Sequence, residues 1–241
     1  TSPAFRGACP ECGSIDLRQQ RYLQPAGFAV DLAQELSNDI SHPIYLSFQA
    51  PWITPSGGTW VGLPARQLGR YRYSSRGHLF HWSPGLHHAG YAICLHCGRA
   101  EAETQAPHGN QPGQLPAGMQ GHWRLLGGTN NMGGPSCTGN DNPFAIQRHL
   151  WLGASQWTDV LELQLRYPGE GRPVADKTTA YSLGIALRQA LADVLGIEDR
   201  EIGVAVMPAR GLDQQDLYAI ALYDTASGGA GYVAALPASL R

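Results

Sequence analysis

Lysine is all but missing from this 241-residue chain: of 17 basic residues only Lys177 is lysine and the rest are arginine. Charge of either sign is sparse, at 15% of residues, and a net charge of −2 excludes the global basic field that would hold nucleic acid over the whole surface. No apolar run reaches the roughly 18 residues of a membrane span, so no membrane partner is expected. Five cysteines are too few for a disulfide scaffold. The first residues, Thr1-Ser-Pro-Ala-Phe-Arg6, include no Met, basic stretch or apolar core, so no secretory leader is read there. They read as the cut edge of a longer chain that works in the reducing cytoplasm.

What is present is apolar and turn-rich. With 43% apolar residues the chain can bury a sizeable core, and 30 glycines with 17 prolines point to strands, ordered loops and few long helices. There is no internal repeat. Short apolar-aromatic runs such as Gly77-His-Leu-Phe-His-Trp82 and Ala89-Gly-Tyr-Ala-Ile93 alternate with Pro/Gly/Ser breaks, which is strand-and-turn punctuation. Stretches 103–121 and 127–143, rich in Gly with Pro, Gln or Asn, read as loops.

The last 90 residues are more regular. Leu161, Leu163, Leu165 and Tyr167 alternate with Glu162, Gln164 and Arg166, predicting a strand with one buried and one polar face. Leu183, Ala186, Leu187, Ala190, Leu191, Val194 and Leu195 fall at helical spacing, so a helix capped by Thr178 or Thr179 and stopped by Gly196 is predicted. Strands at 202–207 and 217–223 and a short helix from Tyr232 complete a β-α-β-β-α order. The fold class expected is α+β, with a β-rich zinc-binding N-terminal part followed by this small unit. The segments are 1–24, a CxxC knuckle; 25–150, a β-rich zinc-binding region; and 151–241, the α/β unit.

Four cysteines form two pairs, Cys9-Pro-Glu-Cys12 and Cys94-Leu-His-Cys97, each followed by glycine, with Cys137 apart. A CxxC turn brings two thiolates to one tetrahedral Zn²⁺, and the glycine permits the tight backbone approach that sulfur ligation needs. Two groupings fit. Either Cys9, Cys12, Cys94 and Cys97 make one four-cysteine site, or Cys94, Cys97 and Cys137 take a histidine while Cys9 and Cys12 form half of another knuckle. His122, His108 and His96 are the candidate histidines, and His122 is favoured by its place 15 residues before Cys137. No H-E-x-x-H, H-x-x-E-H or H-x-E…P-C-x-x-C arrangement supplies a general base, so the zinc reads as structural and the chain as non-catalytic.

No acid lies between Asp39 and Glu101, a span holding Arg66, Arg70, Arg72, Arg76 and Arg99 among many aromatics. Cations interleaved with rings suit a single-strand groove, in which Arg66, Arg70, Arg72 and Arg76 would contact phosphate and Tyr71, Tyr73 or Trp82 would stack. The other reading is a β core with an arginine rim, tyrosines inward and arginines outward. The Gly171–Thr178 stretch lacks the second glycine of a Walker A loop, carrying Asp176 there. Ser227-Gly-Gly-Ala-Gly231 either cradles a phosphate or makes a tight strand-to-helix crossover.

The run Leu222-Tyr-Asp-Thr-Ala-Ser-Gly-Gly-Ala-Gly-Tyr232, with Thr158-Asp-Val-Leu-Glu-Leu163, the Tyr181–Leu191 helix and Gly90-Tyr-Ala-Ile-Cys-Leu-His-Cys-Gly-Arg99, resembles the MZB (MrfA-type zinc-binding) domain. Such domains lie at the C-terminal end of DEAD/DEAH-type superfamily 2 DNA helicases and in subunits of anti-phage systems such as DISARM and Druantia. The resemblance spans about residues 20–236. It implies a piece of a larger ATP-dependent helicase or defence protein, without the motor, whose partners are DNA, single-stranded or at a junction, and helicase motor domains or another defence-complex subunit. It also favours the grouping of Cys94, Cys97 and Cys137, since similar proteins carry cysteines in that order. Members usually continue past the GGAG turn into a further cysteine cluster, which does not occur before Arg241.

Overall fold

A computed structural model describes residues 8–9, 14–15, 20–26, 51–54, 57–105, 114–122, 136–142 and 144–239. In chain order the strands are β1 (Tyr22–Leu23), β2 (Trp52–Thr54), β3 (Val61–Gly62), β4 (Gly69–Ser83), β5 (Tyr91–Cys94), β6 (Ala100–Ala102), β7 (Ile146–Leu165), β8 (Ile202–Arg210) and β9 (Asp216–Asp224). The α-helices are α1 (Lys177–Leu195) and α2 (Tyr232–Ser239), so the described chain is α+β and rich in strand. None of its helices is long and apolar enough to cross a membrane. The chain forms two units, one from residues 1–19, 50–81 and 155–241 and the other from 20–49 and 82–154.

In the first unit the strands lie in the order β2-β4-β7-β9-β8. Pairing is antiparallel at Ile53↔Leu79, Leu161↔Leu222 and along β8–β9 from Ile202↔Asp224 to Arg210↔Asp216. β2 also comes back against β8, so the sheet curls. Ile53, Leu79, Val160, Ala205 and Ala221 form one core cluster. Tyr71, Leu161, Leu163 and Leu222 form another with Leu191 of α1 and Val233 of α2. Burial of these side chains, at about 25 cal/mol per Å² of apolar surface, is what holds helices on the sheet.

The cap of helix α1 lies two or three residues earlier than the threonines suggested. Asp176 is the N-cap, its carboxylate accepting from the Thr179 N–H at 2.6 Å, because a carboxylate three residues ahead reaches the orphan amide of the first turn. Gly196 closes the helix in the left-handed region at φ 67°, ψ 34°.

β7 departs further from expectation. Its polar face is not solvated: Glu162 is 2% and Gln164 6% exposed. The reason lies on β4, whose Arg72 and Arg70 lie over them and supply hydrogen bonds, so polar atoms can be buried without losing partners.

In the second unit β5 lies between β6 and the first part of β7, with Tyr91↔Ala102 and Cys94↔Ile146 paired, and β1 adds in parallel at Tyr22↔Trp151. Alternation sends Tyr91 and Ile93 into a cluster with Leu150, and Ala92 and Cys94 into one with Met119 and Cys137. The 1%-exposed Glu103 takes two guanidinium contacts from Arg148, one of them at 2.7 Å, which neutralises a carboxylate that burial would otherwise penalise.

Candidate metal centre and arginine cleft

Cys94 is the last residue of β5, and the turn after it folds back tightly enough for the Gly98 N–H to donate to the Cys94 carbonyl at 2.8 Å. Gly98 holds φ at +78°, a backbone state that side-chain-bearing residues resist. That turn sets the Cys94 and Cys97 thiols on one side. Opposite them, Cys137 begins a short 3₁₀ turn and accepts from the Gly139 N–H at 3.3 Å. Asn140 then ties this turn to His122: its amide donates to the His122 carbonyl at 2.9 Å and its oxygen accepts from the His122 N–H at 3.2 Å. The Cys137 N–H donates to the same carbonyl at 3.0 Å.

The result is a cluster of Cys94, Cys97, His122 and Cys137 whose ligand atoms all lie within 4.8 Å of one another and which could hold a metal ion. The Cys94 and Cys137 sulfurs are 3.8 Å apart. A tetrahedron with metal–sulfur bonds of ~2.3 Å has edges of about 3.8 Å, so the spacing suits one cation. His122 Nδ1 bonds the Met119 carbonyl at 3.1 Å and must carry the proton, since a carbonyl only accepts. Its Nε2 is buried with no partner among the described residues, an arrangement that burial penalises unless a cation or proton donor sits there. Burial, and then the neighbouring Cys137 and Cys94 thiols, push the Cys97 thiol up to about 11. A close-packed thiol set of this kind needs a cation to carry thiolate charge. Gly139 packs against the cage, where a Cβ would come within 2.6 Å of the Cys94 sulfur.

Of the other sequence candidates, Cys9 is a thiol outside this cluster, and His96 is exposed with its ring on the Thr138 hydroxyl at 3.2 Å. Cys12 and His108 lie outside the described residues.

The arginine- and aromatic-rich span is divided. Tyr71 is 5% exposed and sits in the core. The Tyr73 hydroxyl donates to Asp159 at 2.6 Å, and burial with that bond pushes its phenol upward, so it stays protonated. Trp82 stacks on Trp151 with centroids 4.7 Å apart and planes 7° from parallel. Arg66 and Arg76 are exposed.

Arg72 pairs with Glu162 at 2.6 Å. Arg70 instead gives both Nε, at 2.9 Å, and Nη2, at 2.6 Å, to the neutral Gln164 oxygen. Both guanidiniums sit over the Trp60 ring, 4.3 and 4.8 Å from its centroid. A cleft of about 610 Å³ opens there, lined by Trp60, Arg66, Arg70, Arg166 and Leu212 among others. A second hollow shares Trp60 and Arg70 and adds Arg72, Arg210 and Cys9. Trp60 was visible in the sequence only as one aromatic of many, because nothing local links it to arginines ten and twelve residues on.

The Gly-rich turn is already filled. Asp224, fully buried, accepts from the N–H groups of Ala230, Tyr232 and Val233 at 2.7, 3.1 and 3.0 Å. The carboxylate takes the donors that a phosphate would use, which favours the crossover reading.

No family model matches the chain, and no curated protein matches it. Among solved structures, the crystal structure of the DUF1998 helicase MrfA bound to DNA aligns with 78% of this chain and 19% of that one, at 10% identity and a TM-score of 0.34. This chain thus spans about a fifth of that helicase's length.

Proposed function

We propose that this chain is a zinc-stabilised accessory part of a DNA helicase or of a helicase-associated anti-phage protein, holding single-stranded or junction DNA, or a partner subunit, without acting as a motor. The observation that carries the reading is the buried His122 Nε2, set among three thiols and without a hydrogen-bond partner among the described residues. Cys94, Cys97, Cys137 and His122 would hold the ion. Three sulfurs and one imidazole are a donor set that zinc favours, and four protein ligands complete a tetrahedron, so the ion would cross-link the fold rather than present an open position to a substrate. The helicase context rests on the sequence resemblance. The DNA role is supported further by the arginine–tryptophan cleft.

Two measurements on the purified chain test this. Metal analysis is expected to give one zinc per cluster, and a salt-titrated assay is expected to show single-stranded DNA bound at low salt and released as salt rises. A zinc-loaded, folded chain that binds no DNA at low salt would remove the DNA role.

A second reading, a protein-docking scaffold without nucleic-acid contact, is favoured by the apolar groove lined by Leu187, Leu191, Val194 and Leu236, where Val194 is 83% exposed. Charge reversal separates the two, and Arg66 is the position for it. Reversal at Arg72 would strand the buried Glu162 and confuse binding with folding.

A further inference from the structure

Arg70 and Arg72 are two residues apart on one strand, touch the same indole, and yet are treated differently by the fold. Arg72 is neutralised by Glu162. Arg70 is held just as firmly, by two donors on one oxygen, but the partner is the uncharged amide of Gln164. An amide orients a guanidinium without cancelling its charge. Its Nη1 has no hydrogen-bond partner among the described residues. Burial works most against the Arg70 cation; the Glu162 carboxylate, and more weakly Asp213, offset part of this, Arg166 and Arg72 add to it, and the guanidinium remains charged. Arg66 lies on the same cleft, exposed and without a carboxylate partner among the described residues. Only Arg166 of this wall has one, Asp213 at 3.5 Å. Guanidiniums gathered with too few carboxylates are relieved by an anion.

The rest of the lining indicates what the anion carries. Trp60, Val61, Leu212 and Leu217 offer ring and aliphatic surface, and the indole is fixed by the two guanidiniums over it. The volume of about 610 Å³ admits a group of nucleotide size. With planar guanidiniums over the indole, a base is received by its face, on this guanidinium–indole stack and the aliphatic wall, rather than by its edge, which suits a strand of any sequence. We propose that this cleft seats one nucleotide unit of a single strand, the phosphate on Arg66, Arg70 and Arg166 and the base against Trp60 and Leu212. The proposal rests on the DNA-holding reading above and gives that reading a place.

The test uses the full zinc-loaded chain and a fluorescein-labelled oligothymidylate, with anisotropy read at several salt concentrations. Arg66→Glu and Arg70→Gln are expected to weaken binding tenfold or more and to flatten the log K against log salt line by about 0.7 per lost contact. Trp60→Ala is expected to weaken binding about tenfold while Trp60→Phe keeps most of it. On a strand with an abasic residue at every position, Trp60→Ala should have no further effect, which a merely structural tryptophan would not reproduce. Arg66 is exposed, so its variant should keep its circular dichroism and zinc content. Binding that ignores both Arg66→Glu and Trp60→Ala would overturn this cleft and leave the DNA reading standing. No binding by the parent chain would overturn both, and saturable binding of thymidine monophosphate with none of the strand would overturn the strand as occupant.

Discussion

His122 and Met119 are joined by a hydrogen bond from the ring Nδ1 to the main-chain oxygen at 3.1 Å, and that bond decides what the other ring nitrogen can do. With the proton held on Nδ1, Nε2 presents a lone pair inside a cage of three thiols, and no donor among the described residues meets it. The same contact fixes the ring's angle, so the ligand is oriented before any ion arrives.

Removal of the metal is therefore expected to cost structure, not merely occupancy. Structural zinc sites bind with about 10–16 kcal/mol at neutral pH, comparable with the whole stability of an ordinary domain. Chelation should abolish protection of the β5–β6 amides in hydrogen exchange. Cys94→Ser and His122→Ala should lose zinc, whereas Cys9→Ser should retain it in the cluster; metal analysis of the three variants checks this.

Gly139 offers a way to disturb the cage without changing a ligand. In Gly139→Ala the new methyl would press on the Cys94 sulfur from 2.6 Å. Zinc transfer to a chromogenic chelator should speed up roughly tenfold or more, equivalent to about 1.4 kcal/mol or more of lost affinity. An unchanged transfer rate would show that the turn yields.

Arg72 and Glu162 should respond asymmetrically to truncation. Their side chains are 16% and 3% exposed, so Arg72→Ala takes its ion-pair partner from a buried carboxylate, at a cost of about 3 kcal/mol. Glu162→Gln keeps an acceptor for the guanidinium and should cost about half that. Urea unfolding of both variants, read with unchanged m-values, measures the difference.

Asp224 anchors three amides of the Gly-rich turn and the start of α2. Asp224→Ala would take the acceptor from these N–H groups, of which only that of Val233 is buried, a loss of about 2 kcal/mol. Phosphate should not restore the lost stability, because the turn is shaped around its own carboxylate. A denaturation series with and without phosphate gives the answer.

Asp176 gives a pH signature. Its hydrogen bonds to Thr179, the side chain's first and the main chain's second, hold the carboxyl below its usual range. A depressed folded value means that the cap stabilises above the unfolded carboxyl range near 4 and that this help fades as pH falls through the folded value. The melting-temperature difference between the parent and Asp176→Ala should thus be full at pH 6 and shrink toward pH 2.

Periodicity made α1 and the strands of the last 90 residues legible, since Leu187, Leu191 and Leu195 repeat at helical spacing and the β8 and β9 runs are apolar between turn residues. The burial of Glu162 and Gln164 was not legible. Alternation reports which face is polar, but only the strand alongside decides whether that face meets water or arginine. In the cluster the cysteines announced metal chemistry and the spacing to Cys137 favoured His122, while the contacts that hold its ring and main chain, from Met119 and Asn140, left no mark in the sequence. The two units, assembled from interleaved segments, have no local mark at all.

The cage also changes how the chain tolerates growth. Its ligands join positions as far apart as 43 residues, Cys94 and Cys137. The entropy of closing such a loop rises only with the logarithm of its length, so doubling the connecting stretch would cost about 0.6 kcal/mol. Set against the strength of a filled site, that is small. Insertions between Cys97 and Cys137 are therefore nearly neutral to folding, provided the three thiols, the imidazole and the asparagine that ties Cys137 to His122 keep their places.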